Sequence, residues 1–280
     1  MSAFAFSLVI SAAVLHAIWN AIVKSAVDRT VILGLVALGQ VIPGAILITI
    51  LPFPGWEAMA YVGLSTVIHF GYFLMLGTAY RHGDLSVVYA IARGSAPVLV
   101  TLWAQLLIGE VLPFWAWIGI LCVALGILTL SKDVLKGHVS KMAVWSALGT
   151  GLCISSYSVV DGIGVRLSAH TISYVAWGAF AHIFITGFVF ITRWERVRAI
   201  PRSAAIKGLL GGVVSIIAYG LVLQAKYYAP LGMVSAIRES SVIFAALIGV
   251  FFFHERPIST RLIAATIVAC GIVLIGLNGA

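Results

Sequence analysis

Residues 85–97 read Leu-Ser-Val-Val-Tyr-Ala-Ile-Ala-Arg-Gly-Ser-Ala-Pro, and 145 positions later residues 230–242 read Pro-Leu-Gly-Met-Val-Ser-Ala-Ile-Arg-Glu-Ser-Ser-Val. Each stretch opens an apolar segment long enough to cross a bilayer, and each carries one arginine, Arg93 or Arg238, well inside it. A guanidinium near the middle of a membrane costs roughly 2.5 to 3.5 kcal/mol on insertion scales, so two of them need a partner or a purpose. Their matching positions point to a duplicated membrane bundle and to the part of it where function sits.

Composition supports the bilayer as the solvent. The 280 residues are 62% hydrophobic and 9% charged, with a mean hydropathy of +1.12, far outside the range of soluble domains. Apolar stretches of spanning length occur at 3–23, 31–51, 58–80, 85–107, 114–131, 142–162, 171–192, 204–225, 231–253 and 261–277. The loops between them leave no room for a soluble domain. An all-α integral membrane fold of ten transmembrane helices is expected. Cys122, Cys153 and Cys270 stand singly in apolar runs with no metal-ligand or disulfide spacing. No Gly-x-x-x-x-Gly-Lys loop is present either, so neither a cofactor nor direct ATP drive is expected.

The net charge of +8 does not mean nucleic acid, because the basic residues cluster in short loops. Thirteen Lys and Arg residues fall on one set of alternate loops, and only Arg166 and Lys226 fall on the other. That asymmetry puts the basic side in the cytoplasm and both termini outside. It describes a multi-pass plasma (inner) membrane protein. The first span has no Lys or Arg before Lys24, so it lacks the basic leader of a signal peptide and is expected to be retained. Trp56, Trp115, Trp117, Trp145 and Trp194 near span ends read as interface belts.

The same shift of 145 aligns Ser95 with Ser240, Glu110 with Glu255, Ala124 with Ala269, Gly126 with Gly271 and Ile127 with Ile272. Trp19 and Asn20 fall more weakly over Tyr157 and Ser158. Five spans per copy is odd, so the second copy enters the membrane upside down. Repeats at 1–135 and 136–280 would then be inverted, with a binding site near the midplane between them. At 1.5 Å per helical residue, Arg93 and Arg238 lie roughly 10 to 12 Å deep from opposite sides.

Helical spacing gathers Ser86, Tyr89, Arg93 and Pro97 on one face and Ser235, Arg238 and Ser241 on another. Pro97 could kink its helix at that depth. Glu239 is the acidic residue at comparable depth, Asp161 falling near the far end of its span. Two guanidinia with one carboxylate leave about one positive charge, which suits an anionic or zwitterionic ligand, its carboxylate or phosphate held by arginine forks and an ammonium by Glu239. The competing reading is structural, with Glu239 bridging both arginines and locking the halves together. His16, Asn20 and Lys24 form a stripe on the first span beside Trp19, Lys24 being an interfacial anchor. His69, Tyr72, Tyr157, Asp161 and Tyr219 could supply aromatic walls and hydrogen bonds, and His182 and Gln105 read as helix contacts.

These features together resemble the drug/metabolite transporter superfamily, in particular its EamA-type members. The resemblance rests on the two five-span halves, the Gly109-Glu110 turn with its counterpart His254-Glu255, the Gly-containing closing spans, and the opening His16-Ala17-Ile18-Trp19-Asn20. It covers nearly the whole chain. It implies a carrier with alternating access and a cavity lined by spans 1, 3, 4, 6, 8 and 9, with spans 5 and 10 peripheral. The turn glutamates would serve helix packing or termini.

The expected function is a secondary transporter of a small anionic or zwitterionic metabolite, an amino acid before others. Arg93, Arg238, Glu239, Tyr89, Trp19, Asn20, His16, Tyr157 and Tyr219 are the expected substrate-binding residues. The partners are that small molecule and the lipid bilayer, with protons as a candidate coupling ion through Glu239 or His16. No nucleic acid is expected, and a monomer would suffice. A flippase for a lipid-linked headgroup is the alternative and requires a cavity open sideways to lipid. An intramembrane enzyme would need clustered acids, metal ligands or a nucleophile with its base. The scattered His16, His69, His170 and His182 supply none of these.

Overall fold

A computed structural model describes residues 1–26, 28–82, 85–130, 140–251 and 258–278. Thirteen helices carry the described chain: α1 Ala3–Lys24, α2 Arg29–Ile50, α3 Trp56–His82, α4 Leu85–Ile108, α5 Phe114–Leu128, α6 Lys141–Leu167, α7 Thr171–Ala181, α8 Ile183–Thr192, α9 Trp194–Arg198, α10 Arg202–Tyr228, α11 Leu231–Arg238, α12 Ser241–Phe251 and α13 Ile258–Asn278. Nine apolar segments among them are long enough to cross a membrane. The expected fifth span appears as α5, an apolar helix of 15 residues. This is a multi-pass membrane protein, and the all-helical build follows from its solvent: in hydrocarbon every backbone N–H and C=O must be satisfied within the segment.

Local sequence marks the helix starts. The side chains of Ser2, Asp28 and Ser140 accept from Ala5 N, Val31 N and Ala143 N at 3.1–3.2 Å, each satisfying a first-turn donor. Pro113, Pro201 and Pro230 precede α5, α10 and α11, where a missing N–H costs nothing. Pro97 does not interrupt α4, which runs unbroken from Leu85 to Ile108.

Two spans are broken where no proline stands. Span 171–192 divides at His182 between α7 and α8, and span 231–251 divides at Glu239-Ser240 between α11 and α12. At the second break Glu239 N, Ser240 N, Val242 N and Ile243 N each bond to the carbonyl three residues back, at 2.9–3.1 Å. The turn is thus tightened toward 3₁₀ geometry without leaving the backbone open.

Packing is by close approach of small residues, as expected where lipid offers no hydrophobic drive between helices. At the α2–α10 crossing a Cβ on Gly39 would lie 2.2 Å from Leu209 O, and one on Gly212 2.2 Å from Val36 O. At the α5–α13 crossing Gly119 and Gly271 face each other's carbonyls in the same way, at 2.7 Å each. Elsewhere α3 lies along α6, α1 along α10, and α4 along α6. The largest buried cluster joins Val9, Ile120, Ile127, Met233, Ile237, Val268 and Ile275 of α1, α5, α11 and α13. The outer surface is apolar, with Trp56, Trp115, Trp145 and Trp194 all exposed, while Trp117 packs partly buried against that cluster.

Candidate functional site

The bundle encloses a cavity of about 770 Å³. Its wall runs from Val62, Tyr174 and Leu223 at one end to Arg29, Thr30, Thr260 and Arg261 at the other. Val62, Tyr174 and Leu223 also belong to a packed apolar cluster with Ala58 and Val165, which forms the cavity's floor. The other end carries Arg29 and Arg261, two of the basic loop residues counted above.

Both arginines line this cavity. They are only 7% and 5% exposed, so whatever compensates their charge lies within the protein or in the cavity. Glu239 is completely buried and is not part of the described wall. It stands behind the two guanidinia and treats them differently. Its Oε2 is 2.9 Å from Arg93 Nη2, whereas its Oε1 is 3.9 Å from Arg238 Nη2. Arg93 also donates to Ser241 Oγ at 3.4 Å, across the break. Arg238 sits in the last turn of α11, where the partial negative charge of the carbonyl end offsets part of its cost. By distance, Arg93 is the arginine that Glu239 pairs with, and Arg238 is the one it approaches less closely.

Other expected site residues are brought to the same cavity with parts of their hydrogen-bonding already spent. Trp19 donates its indole N–H to His16 Nδ1 at 3.2 Å, and Asn20 donates to His16 O at 2.7 Å. His16 Nδ1 is thus an acceptor, which leaves Nε2 to carry the ring proton in the neutral tautomer. Tyr157 stacks on His69, centroids 3.9 Å apart and 25° between planes. Tyr219 meets both edge-on, at 6.4 Å from Tyr157 and 6.3 Å from His69. The side chains of Tyr89 and Lys24 lie outside the described residues, as do Glu255 and Arg256.

Residues 141–277 match the EamA-like transporter family. That family is part of the drug/metabolite transporter superfamily, and the match takes in the second repeat of the chain. A solved crystal structure is similar to this chain over 100% of its length and 98% of the other's, with a TM-score of 0.74 and 17% identity. That likeness gives the fold. No curated protein matches the chain.

Two residues of the site, His182 and Lys226, differ from their sequence reading, and Asp161 lies deeper than its place in the span suggests. Asp161, read as lying near the far end of its span, lines the cavity with the arginines. It accepts from Tyr174 Oη at 2.8 Å and from Tyr219 Oη. Helical spacing from Tyr157 to Asp161 was the available signal, because i and i+4 share a face. His182, read as a helix contact, lies at the α7–α8 break, lines the cavity and meets His69 at 5.5 Å. Lys226, counted with the outer loop, is fully buried within α10 and donates to Ser158 O and Oγ at 2.7 and 2.6 Å. Burying an ammonium that far requires partners near a long flexible stem, and one sequence does not reveal such distant partners.

The turn glutamate at 110 serves a helix end. Glu110 Oε2 accepts from Leu231 N at 2.7 Å, capping α11, while Oε1 pairs with Arg166 at 2.8 Å. Arg166 in turn donates to Lys226 O and Ala229 O at 2.9 and 3.0 Å, covering the carbonyl end of α10. Charges sit here where helix termini want them. Among the described residues no group of His, Cys, Asp and Glu could hold a metal ion.

Proposed function

We propose that this protein is a secondary transporter whose central cavity binds a small anionic or zwitterionic metabolite, with amino acids as the leading class. The observation that carries the reading is the unequal treatment of the two arginines. Arg93 is held by Glu239 at 2.9 Å, whereas Arg238 lines the cavity with only a 3.9 Å approach to that carboxylate. A guanidinium with unused donors in a low-dielectric pocket is a fork for a carboxylate. A purely structural lock would hold both arginines tightly.

The remaining parts follow from that assignment. Trp19, Asn20, His16, Tyr157 and Tyr219 shape the wall around the ligand. Glu239 balances the charge of Arg93. Repeats at 1–135 and 136–280 move against each other as inverted halves, so the site is exposed to each side in turn. Support comes from pairings that interchange when the halves are exchanged: α3 with α6 answers α10 with α1, and α5 with α13 answers itself. On the charge-counted orientation, the cavity end at Arg29 and Arg261 faces the cytoplasm.

Proteoliposomes holding purified protein test this with a panel of labelled amino acids and organic anions, with and without a pH gradient. Wild type is expected to take up at least one of these compounds, and Arg238→Ala to lose that uptake while still folding. Equal uptake by wild type and by both Arg93→Ala and Arg238→Ala would overturn the assignment.

A further inference from the structure

Among the described residues of the wall, Asp161 is the only carboxylate; the other formal charges are the arginines at 29, 93, 238 and 261. Glu239 cannot serve a ligand there, being sealed and spent on Arg93. Asp161 is 3% exposed and is positioned from three helices: its own α6, α7 through Tyr174 and α10 through Tyr219. Each tyrosine hydroxyl occupies a different carboxylate oxygen. A carboxylate has about four lone-pair sites, so one remains on each oxygen. Lys226, the nearby buried cation, spends its ammonium on Ser158, one turn before Asp161. No cation among the described residues pairs with Asp161 within ion-pair distance. Tyr219 belongs to the same stacked cluster as His69 and Tyr157, which supplies ring faces of the kind that attract ammonium groups.

We propose that Asp161, aimed by Tyr174 and Tyr219, is the cation subsite of the cavity and takes the ammonium group of a zwitterionic substrate whose carboxylate lies at Arg238. The proposal rests on the transport reading above and narrows its ligand from anionic or zwitterionic metabolites to primary amino acids. A simple amine meets four arginines in the wall and only one acid, so it is rejected. A simple acid satisfies Arg238 and leaves Asp161 buried with no cation, so it binds less well. Only a ligand carrying both groups answers both subsites.

Matched probes separate these cases: leucine, isocaproate (leucine without its amine) and isoamylamine (leucine without its carboxylate), with equivalent trios on smaller and polar side chains. Uptake into proteoliposomes and the thermal shift of the purified protein are both read. Wild type is expected to prefer the amino acid over its amine-free analogue by about tenfold or more, the scale of a charge-assisted contact. Asp161→Asn should lower the amino acid to the level of the amine-free acid. Arg238→Gln should abolish transport of both. The double variant Tyr174→Phe/Tyr219→Phe keeps the carboxylate but loses its aim, and should retain part of the preference; it also serves if Asp161→Asn does not fold. An undiminished preference in Asp161→Asn or in the double variant overturns the subsite while leaving the role of Arg238 standing. Uptake of neither class by wild type, with no effect of Arg238→Gln, overturns the transport reading and this proposal together. Preferential uptake of isoamylamine would assign Asp161 to free amines and overturn the zwitterion.

Discussion

Glu239 and the two arginines show how little a bare list of charges says about their duties. The sequence places one acid beside two guanidinia; the fold decides that Arg93 receives it at 2.9 Å and Arg238 at 3.9 Å. Breaking a buried pair leaves an uncompensated charge and costs about 3–5 kcal/mol. Glu239→Gln is therefore expected to lower thermal stability strongly, because it exposes Arg93 and Arg238 to each other with nothing between. Arg93→Ala strands the Glu239 carboxylate and should destabilise by a similar amount. Arg238→Ala removes a guanidinium that the protein holds only loosely, so it should leave the unfolding temperature close to wild type while uptake is lost. Thermal unfolding of the three variants in detergent, set beside uptake in proteoliposomes, checks this ordering. Equal destabilisation by the two arginine substitutions would mean that both are structural. Neither arginine's duty was legible in the sequence, since its distance to a shared partner is set by a turn in the chain. The partners of Asp161 are hidden for a related reason: its place along one span says nothing of Tyr174 and Tyr219 reaching it from two others.

The helices were largely readable from length and hydropathy, and what was missed is informative. Pro97 suggested a kink, yet α4 runs through it. The spans that do break, at His182 and at Glu239-Ser240, contain neither proline nor glycine at the break. Burial of polar side chains and tightened backbone bonds make those turns, and both belong to tertiary structure. Alignment of Gly126 with Gly271 hinted at packing glycines, but the pairing of Gly119 with Gly271 and of Gly39 with Gly212 needed coordinates. A methyl at Gly39 or Gly212 would meet a backbone carbonyl at 2.2 Å, and backbone cannot rotate aside as a side chain does. Gly212→Ala is expected to destabilise by about 1–3 kcal/mol, the usual cost of overpacking. Gly63→Ala, where nothing lies within 4 Å, should be neutral or slightly stabilising through helix propensity. A second element-scale test concerns the α11 start: Glu110→Gln removes the ion pair to Arg166 and weakens the cap on Leu231 N. Because the Arg166 side chain is 30% exposed, screening holds the expected loss to about 1–2 kcal/mol, again read by thermal unfolding.

For the molecule as a whole, the distribution of charge and the shape of the cavity make one joint statement about direction. Of the two basic residues on the sparse side, Arg166 pairs with Glu110 and Lys226 is buried within α10, so neither presents its charge at the loop surface. At that same end the cavity stops on the apolar cluster of Val62, Val165, Tyr174 and Leu223. Its other end reaches Arg29, Thr30, Thr260 and Arg261. If the basic side is cytoplasmic, the end of the cavity at Arg29 and Arg261 lies on that side and the apolar cluster on the other. Single cysteines read this directly once Cys122, Cys153 and Cys270 are replaced by serine. Thr30→Cys and Thr260→Cys are expected to react with a membrane-impermeant maleimide only from the cytoplasmic face, and Ala3→Cys only from the outside. A ligand that fills the cavity should slow the labelling at position 260 and leave position 3 unchanged, because only the first lies on the wall. Labelling of Ala3→Cys from the cytoplasm alone would invert the orientation, and with it the side from which the Arg238 and Asp161 subsites are first reached.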